Sequence, residues 1–194
     1  RDVVTTVAHE LRTPVSSIYG AVATLARDDT PLTDDTRKQL IAMLHAETER
    51  LSRNVSDLVT ASSLANDDTL RPPGDCDLTV LVDRVLERAQ ARCPEKLRLR
   101  KRLPAPAEPC ALDEERVEQI LDALLDNAVR YSPNGGEIEL AVERSDHAVR
   151  FTVGDTGIGI DTRHHPHIGE KFYRVDPELH TGAAGLGLGL YICN

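Results

Sequence analysis

Apolar residues recur in steps of four and three at Val4, Ala8, Leu11, Val15, Ile18, Val22 and Leu25. That is the seam of a helix packing on other helices, and it predicts a first helix over residues 3–27. Asp28-Asp29-Thr30-Pro31-Leu32 reads as a turn. Thr33 supplies a capping hydroxyl, and Asp34 and Asp35 put acids in the first turn of a second helix. Its seam is Ile41, Leu44, Thr48, Leu51, Val55 and Leu58, fading near Leu64. Two helices of ~40 Å joined by so short a loop form an antiparallel hairpin. One hairpin cannot cover both seams, so a homodimer through residues 1–64, closing a four-helix bundle, is expected.

Residues 65–77, with Asn66-Asp67-Asp68 and Pro72-Pro73-Gly74, have linker chemistry. Beyond them the pattern changes. Leu78, Leu81, Val82, Val85, Leu86 and Ala89 predict a helix, and Leu97 to Leu103 alternates like a half-buried strand. Arg98, Arg100, Lys101 and Arg102 read as its solvated face. After Pro104, Pro106 and Pro109, Asp113 caps a third long helix through Val117, Leu121, Leu125 and Val129, ending near Ser132 to Gly136. Two alternating segments, Glu137–Glu143 and Ala148–Val153, are joined by a turn at residues 145–147. The mixture predicts an α/β sandwich with helices on one face of a sheet, so the fold class is an α hairpin followed by an α/β domain, residues 78–194. From Asp155 to Gly189 periodicity is lost and Gly, His and Pro are frequent, the pattern of a lid over a ligand.

The candidate chemistry begins at Val7-Ala8-His9-Glu10-Leu11-Arg12-Thr13-Pro14. His9 and Thr13 lie one turn apart on one face and off the seam, so the imidazole is expected to be exposed. Glu10 adjoins it, and Pro14 removes the donor that would bond the carbonyl of Glu10, inviting a bend. Further on, Asn127 and Tyr131 share a face of the third helix, beside Asp126 and Arg130. Asp155-Thr156-Gly157-Ile158-Gly159 follows a strand, placing a carboxylate beside glycines that let a flat polar group approach. Glu170-Lys171-Phe172-Tyr173-Arg174 offers cations and rings. Gly185, Gly187 and Gly189 run into an apolar segment, as in a loop feeding a phosphate-binding helix terminus.

These motifs, in this order, resemble the phospho-acceptor box and the ATP-binding domain of the sensor histidine kinases. The second domain is similar to the wider superfamily of gyrase and the heat-shock chaperone ATPases. The resemblance implies ATP and Mg²⁺ as cofactors and phosphorylation of His9. Glu10 would orient and deprotonate the imidazole, and Thr13 would position a water for removing phosphate from a partner response regulator. Asn127 would contact Mg²⁺ and phosphates, with Arg130 where the family usually has lysine. Tyr131 would pack on the nucleotide, Asp155 would accept the adenine amino group, and Gly157 and Gly159 would allow close approach. Lys171 and Phe172 belong to the lid motif, and Arg174, Gly185, Gly187 and Gly189 would line the phosphate side. Ala123 departs from the family pattern: a second Asn usually stands there, and a water-activating Glu stands there in the hydrolysing relatives. Its absence removes one Mg²⁺ ligand and favours transfer over hydrolysis. The family pattern also continues with further elements past Asn194.

Composition narrows the reading. With 23 Lys+Arg against 32 Asp+Glu, the formal charge of −9 argues against a nucleic-acid partner. At 40% hydrophobic and 3% aromatic the core is aliphatic. Cys76, Cys93, Cys110 and Cys193 have no metal spacing and read as reduced cytosolic thiols. No apolar run suits a membrane span; this portion is expected to be cytoplasmic, within a full-length protein whose membrane anchoring would be settled upstream of Arg1. His164, His165 and His167 are too tightly spaced for a formed metal site but suit a pH-sensitive lid. A chain opening at Arg1 in mid-pattern reads as a piece of a longer protein with a sensor domain upstream. Two rivals to an autokinase stay open: an ATP-binding dimer scaffold without catalysis, and a superfamily ATPase.

Overall fold

The computed structural model describes residues 3–27, 32–66, 73–104, 109–145, 147–175 and 185–193. Most of the turn at 28–31, the middle of the linker (67–72), Pro106, Asp146 and the start of the glycine run at Gly182 lie outside them. Helices α1 (Val3–Leu25) and α2 (Asp34–Asn66) pack against each other. Thr33 caps α2, its hydroxyl accepting from the Thr36 amide at 3.2 Å. Their direction follows from the pairings: Glu10 meets Arg50 and Asn54, while Val7, one turn earlier, joins the cluster that holds Leu58 and Ala61. The hairpin is therefore antiparallel.

The α1 seam is shifted from the sequence expectation. Its buried residues are Pro14 and Ala21, with Leu11, Ile18 and Leu25 half-buried, whereas Val15 and Val22 are each 50% exposed. Thr48, expected on the α2 seam, is exposed and donates back to the Leu44 carbonyl at 2.7 Å. A hydroxyl finds its partner on its own helix more cheaply than in an apolar interface. Ile41 and Val59 are also open to solvent, so one hairpin leaves much of its apolar surface uncovered. Helix α1 runs unbroken through Pro14.

The second unit contains β1 (Gly74–Cys76), α3 (Leu78–Gln90), β2 (Leu97–Arg102), β3 (Cys110–Leu112), α4 (Glu114–Arg130), β4 (Gly136–Arg144) and β5 (Val149–Asp155). Strand β4 is central, parallel to β2 and antiparallel to β5, and β1 pairs antiparallel with β3 as a separate ribbon. Asp77 and Asp113 cap α3 and α4 through their carboxylates. The buried stripes of the two helices, Leu78, Leu81, Val82 and Val85 with Leu121, Leu125 and Ala128, close over Ile138, Leu140 and Val142 of β4. Along the outer edge Arg84 and Arg88 pair with Glu118, Arg88 with Asp122, and Arg92 with Asp126, a ladder that sets the register of α3 on α4. The basic face of β2 is matched by acids: Arg100 meets Glu137 at 2.8 Å, Arg102 lies near Glu139 and Glu143, and Lys101 pairs with Asp83.

A short 3₁₀ turn (Thr162–His164) and helix α5 (Gly189–Ile192) complete the described chain. No described helix is long and apolar enough to cross a membrane. Leu125 is wholly buried between α4 and its neighbours. Leu125→Ala should cost about 2–5 kcal/mol in urea unfolding, with little change in the slope against denaturant.

Candidate active site

His9 projects from α1 into solvent, and the Thr13 hydroxyl one turn on donates to the His9 carbonyl at 3.1 Å. That bond turns the threonine toward its own backbone in this arrangement. Glu10 points the other way, into a crowded junction. One carboxylate oxygen accepts from Arg50 of α2 at 3.3 Å and the other from Arg174, in the segment before the glycine run, at 3.1 Å. All three side chains are mostly buried, with 14–17% exposure, so the charges depend on one another. The carbonyl of Glu10, freed by Pro14, faces the buried Asn54, whose amide lies 3.5 Å away.

Beside this junction an apolar contact joins the two units. Leu186, Leu188 and Ile192 pack with Ala61 and Leu58 of α2, Val7 of α1, Phe172 and Tyr191. Lys171 places its ammonium 4.6 Å from the Tyr191 ring centroid, a cation–π contact. Phe172 takes a left-handed conformation (φ 64°), uncommon for a bulky residue, and its amide bonds the Gly187 carbonyl at 3.0 Å.

A cavity of about 360 Å³ opens between α4, the β5 end, Arg174 and the glycine run. Asn127, Arg130 and Tyr131 line it from α4 and its cap, with Ala123 one turn earlier. Asp155 lines it from the end of β5 and Gly159 from the loop that follows, and Arg174, Gly185, Gly187 and Gly189 from the far side. Gly157, Lys171 and Phe172 stand off the cavity wall. Gly157 instead packs under Tyr131 and Ser132, with its amide on an Asp155 carboxylate oxygen at 2.9 Å. Lys171 and Phe172 serve the contact with α5 and the hairpin. Gly187 (φ +70°) sits so close to the Tyr173 carbonyl that a Cβ would come within 2.7 Å of it, and a Cβ at Gly185 would strike the Arg130 guanidinium. Both positions bring bare backbone to the cavity.

Two charged lining residues were missed by sequence reasoning, Arg53 and Asp57 of α2, along with the apolar Ile168 and Val175. With Arg50 and Asn54 the two charged residues recur at three- and four-residue steps, a polar stripe beside the apolar seam that carried the signal. Burial pushes the Asp57 carboxyl above the usual range; Arg130 opposes this, Asp126 adds to it, and Arg53 opposes it. Asp126 is raised likewise by burial, against the pull of Arg92, Arg130 and Arg53. In the histidine-rich turn, His164 contacts the Tyr173 hydroxyl at 2.7 Å and His167 contacts Glu170 at 2.7 Å, while His165 turns to the Ile160 carbonyl. No group of three or more metal-ligating side chains converges among the described residues.

The arrangement thus sets an exposed imidazole on a helical hairpin whose second helix also lines a glycine-rimmed cavity, with arginines and aspartates both in its walls. Residues 1–67 match the His Kinase A (phospho-acceptor) domain, and residues 112–194 match the histidine kinase-, DNA gyrase B- and HSP90-like ATPase family. The phosphate regulon sensor protein PhoR of Pseudomonas aeruginosa is 32% identical over 99% of this chain and 43% of its own length. Among solved structures, the histidine kinase AdeS of Acinetobacter baumannii superposes with a TM-score of 0.64 at 26% identity, covering 95% of this chain and 86% of that one. Full-length ShkA in complex with AMPPNP gives 0.66 at 29% identity, over 97% of this chain and 38% of that one. The chain spans less than half the length of the curated relatives it matches. Both domain matches fall on the two units that meet at Glu10, and the chain belongs to the sensor histidine kinase family.

Proposed function

We propose that this chain is an ATP-dependent autokinase that phosphorylates His9 and passes the phosphoryl group to an aspartate of a response regulator. The observation that carries the reading is the junction itself: Arg174 borders the cavity and also holds Glu10, the neighbour of His9. A ring nitrogen of His9 attacks the γ-phosphorus, the bond to the β-phosphate oxygen breaks, ADP leaves, and Glu10 takes the imidazole proton. Such chemistry rests on positioning and charge neutralisation.

The cavity fits the nucleotide. Ile158, Ile160 and Leu124 give it apolar wall for a base, Tyr131 offers a ring, and Asp155 offers a carboxylate for the adenine amino group. Arg53, Arg130 and Arg174 supply cations for phosphate, and Gly185, Gly187 and Gly189 let backbone approach it. Asn127 is the proposed ligand for Mg²⁺, which neutralises phosphate charge when bound; Ala123 offers no donor. Residues 1–64 form the dimerisation and phosphotransfer unit and 78–194 the ATP unit; of the expected linker 65–77, α2 takes the residues to Asn66 and β1 (Gly74–Cys76) pairs into the ATP unit, which leaves residues 67–73 to connect them. The half-exposed Val15, Val22 and Val55 support a second copy closing the bundle. In this reading Thr13 helps position a water for dephosphorylating the regulator. The ATP unit serves a sensor domain carried elsewhere in the full protein, with this portion in the cytoplasm.

A second reading, an ATP-binding scaffold without transfer, is favoured by Ala123 and by the two guanidiniums that occupy Glu10. Incubation with γ-labelled ATP and Mg²⁺ separates them. Acid-labile, base-stable label is expected on the wild-type chain and none on His9→Gln; bound nucleotide with no label on either would establish the scaffold.

Glu10→Gln should slow labelling by about 10²-fold or more while leaving the KM for ATP within about threefold, because a proton acceptor acts in the transition state. The raised Asp57 carboxyl has a consequence of its own. Its ionised form is less at ease in the folded chain than in the unfolded one, so it lowers stability at neutral pH and has no effect below the unfolded value. Asp57→Asn is expected to raise the melting temperature at pH 7, with the difference vanishing near pH 3.5.

A further inference from the structure

Strands β1 and β3 pair with Cys76 directly opposite Cys110. Facing residues of an antiparallel pair point to the same side of the ribbon, with Cα atoms ~4.5–5.5 Å apart. That spacing lies inside the ~4.4–6.8 Å range bridged by disulfides. Both thiols are free; Cys76 is 1% exposed within the core, and Cys110 is partly buried at its rim. Cys93 and Cys193 have no such partner, since their sulfurs face the carbonyls of Leu97 and of Ile120 and Gly189.

We propose that Cys76 and Cys110 are a reversible disulfide site, closed by exchange with a low-molecular-weight disulfide such as oxidised glutathione. The Cys110 thiolate attacks one glutathione sulfur, forming a mixed disulfide and releasing one glutathione thiolate. The Cys76 thiolate then attacks the Cys110 sulfur, forming the protein disulfide and releasing the second. Two protein thiols are oxidised, one small disulfide is reduced to two thiols, and the two protein protons pass to solvent or to the departing thiolates. Cys110, the more accessible of the two, is the entry point, and buried Cys76 resolves the intermediate from across the ribbon.

Exchange at these thiols is expected to be slow at neutral pH. Burial, with the nearby charges of Glu114, Cys110 and Asp77, pushes Cys76 up to about 11 against the pull of Arg84, and burial also raises Cys110. Exchange requires the thiolate, so the rate rises with pH. The bond would sit where it matters for the ATP unit. Cys76 adjoins Asp77, the cap of α3, and Cys110 leads into Asp113, the cap of α4, which carries Asn127 and Arg130. It would fix the entry strand of the unit to the start of its nucleotide-binding helix.

The test treats the whole chain with oxidised glutathione at pH 8, followed by acid quench, alkylation and non-reducing peptide mapping. The expected product is a linked Cys76–Cys110 peptide, with two of the four cysteines lost to alkylation and Cys93 and Cys193 still alkylated. The melting temperature should rise by about 5 °C or more and return with dithiothreitol. Cys110→Ser and, separately, Cys76→Ala should each abolish the linked peptide. A persistent glutathione adduct on Cys110 without the link, cross-links through Cys93 or Cys193, or four unreacted thiols would each overturn the proposal. The thiol count makes no use of phosphotransfer, so it stands or falls apart from the kinase reading.

Discussion

The structure turns on one carboxylate. Glu10 is mostly withdrawn from water, and Arg50 and Arg174 reach its two carboxylate oxygens from two sides. Arg50 belongs to the same hairpin, whereas Arg174 comes from a distant stretch of chain. Removing either partner leaves a buried charge under-compensated, at a cost of about 3–5 kcal/mol when burial is complete and less here, where water retains some access. The contact of Leu58 and Ala61 with Leu186, Leu188 and Ile192 lies alongside and excludes water from the same seam. Arg174 also borders the cavity, so an anion bound there and the Glu10 carboxylate draw on a single guanidinium.

What the sequence made legible was local. The exposure of His9 follows from its place off a helical repeat. The caps of α3 and α4 are single aspartates before apolar runs, and the β4–β5 hairpin follows from two alternating segments around a short turn. The face of α4 that carries Asn127 and Tyr131 follows from a four-residue spacing. None of these needs knowledge of another element.

What stayed hidden depends on elements meeting. Arg53 and Asp57 reach the cavity only because α2 docks on α5, which in turn packs on α4, and nothing within α2 announces that. Strands β1 and β3 are three residues each, too short to show a period of two, and one of them lies in a stretch with linker composition. Lys171 and Phe172 sit in a motif beside Arg174, yet a left-handed turn at Phe172 sends them to a different surface. Thr48 fits the seven-residue pattern by position, but its hydroxyl prefers its own helix. Spacing gives the face of a residue and leaves open which neighbour covers that face.

The pairing of Asn54 with the Glu10 carbonyl gives the hairpin a registration mark. Proline removes one donor from α1, and Asn54 is the one buried polar side chain of the hairpin among the described residues. At 3.5 Å the bond is long, yet each group has its natural partner in the other. Sliding α2 by a residue, or turning it by a third of a circle, would leave an amide and a carbonyl both buried and both unmatched, at about 1–3 kcal/mol apiece. An all-leucine interface would tolerate many settings of two helices at nearly equal cost. This one prefers a single setting, so motion arriving along α1 meets a detent, and the hairpin responds in steps where a smooth interface would drift.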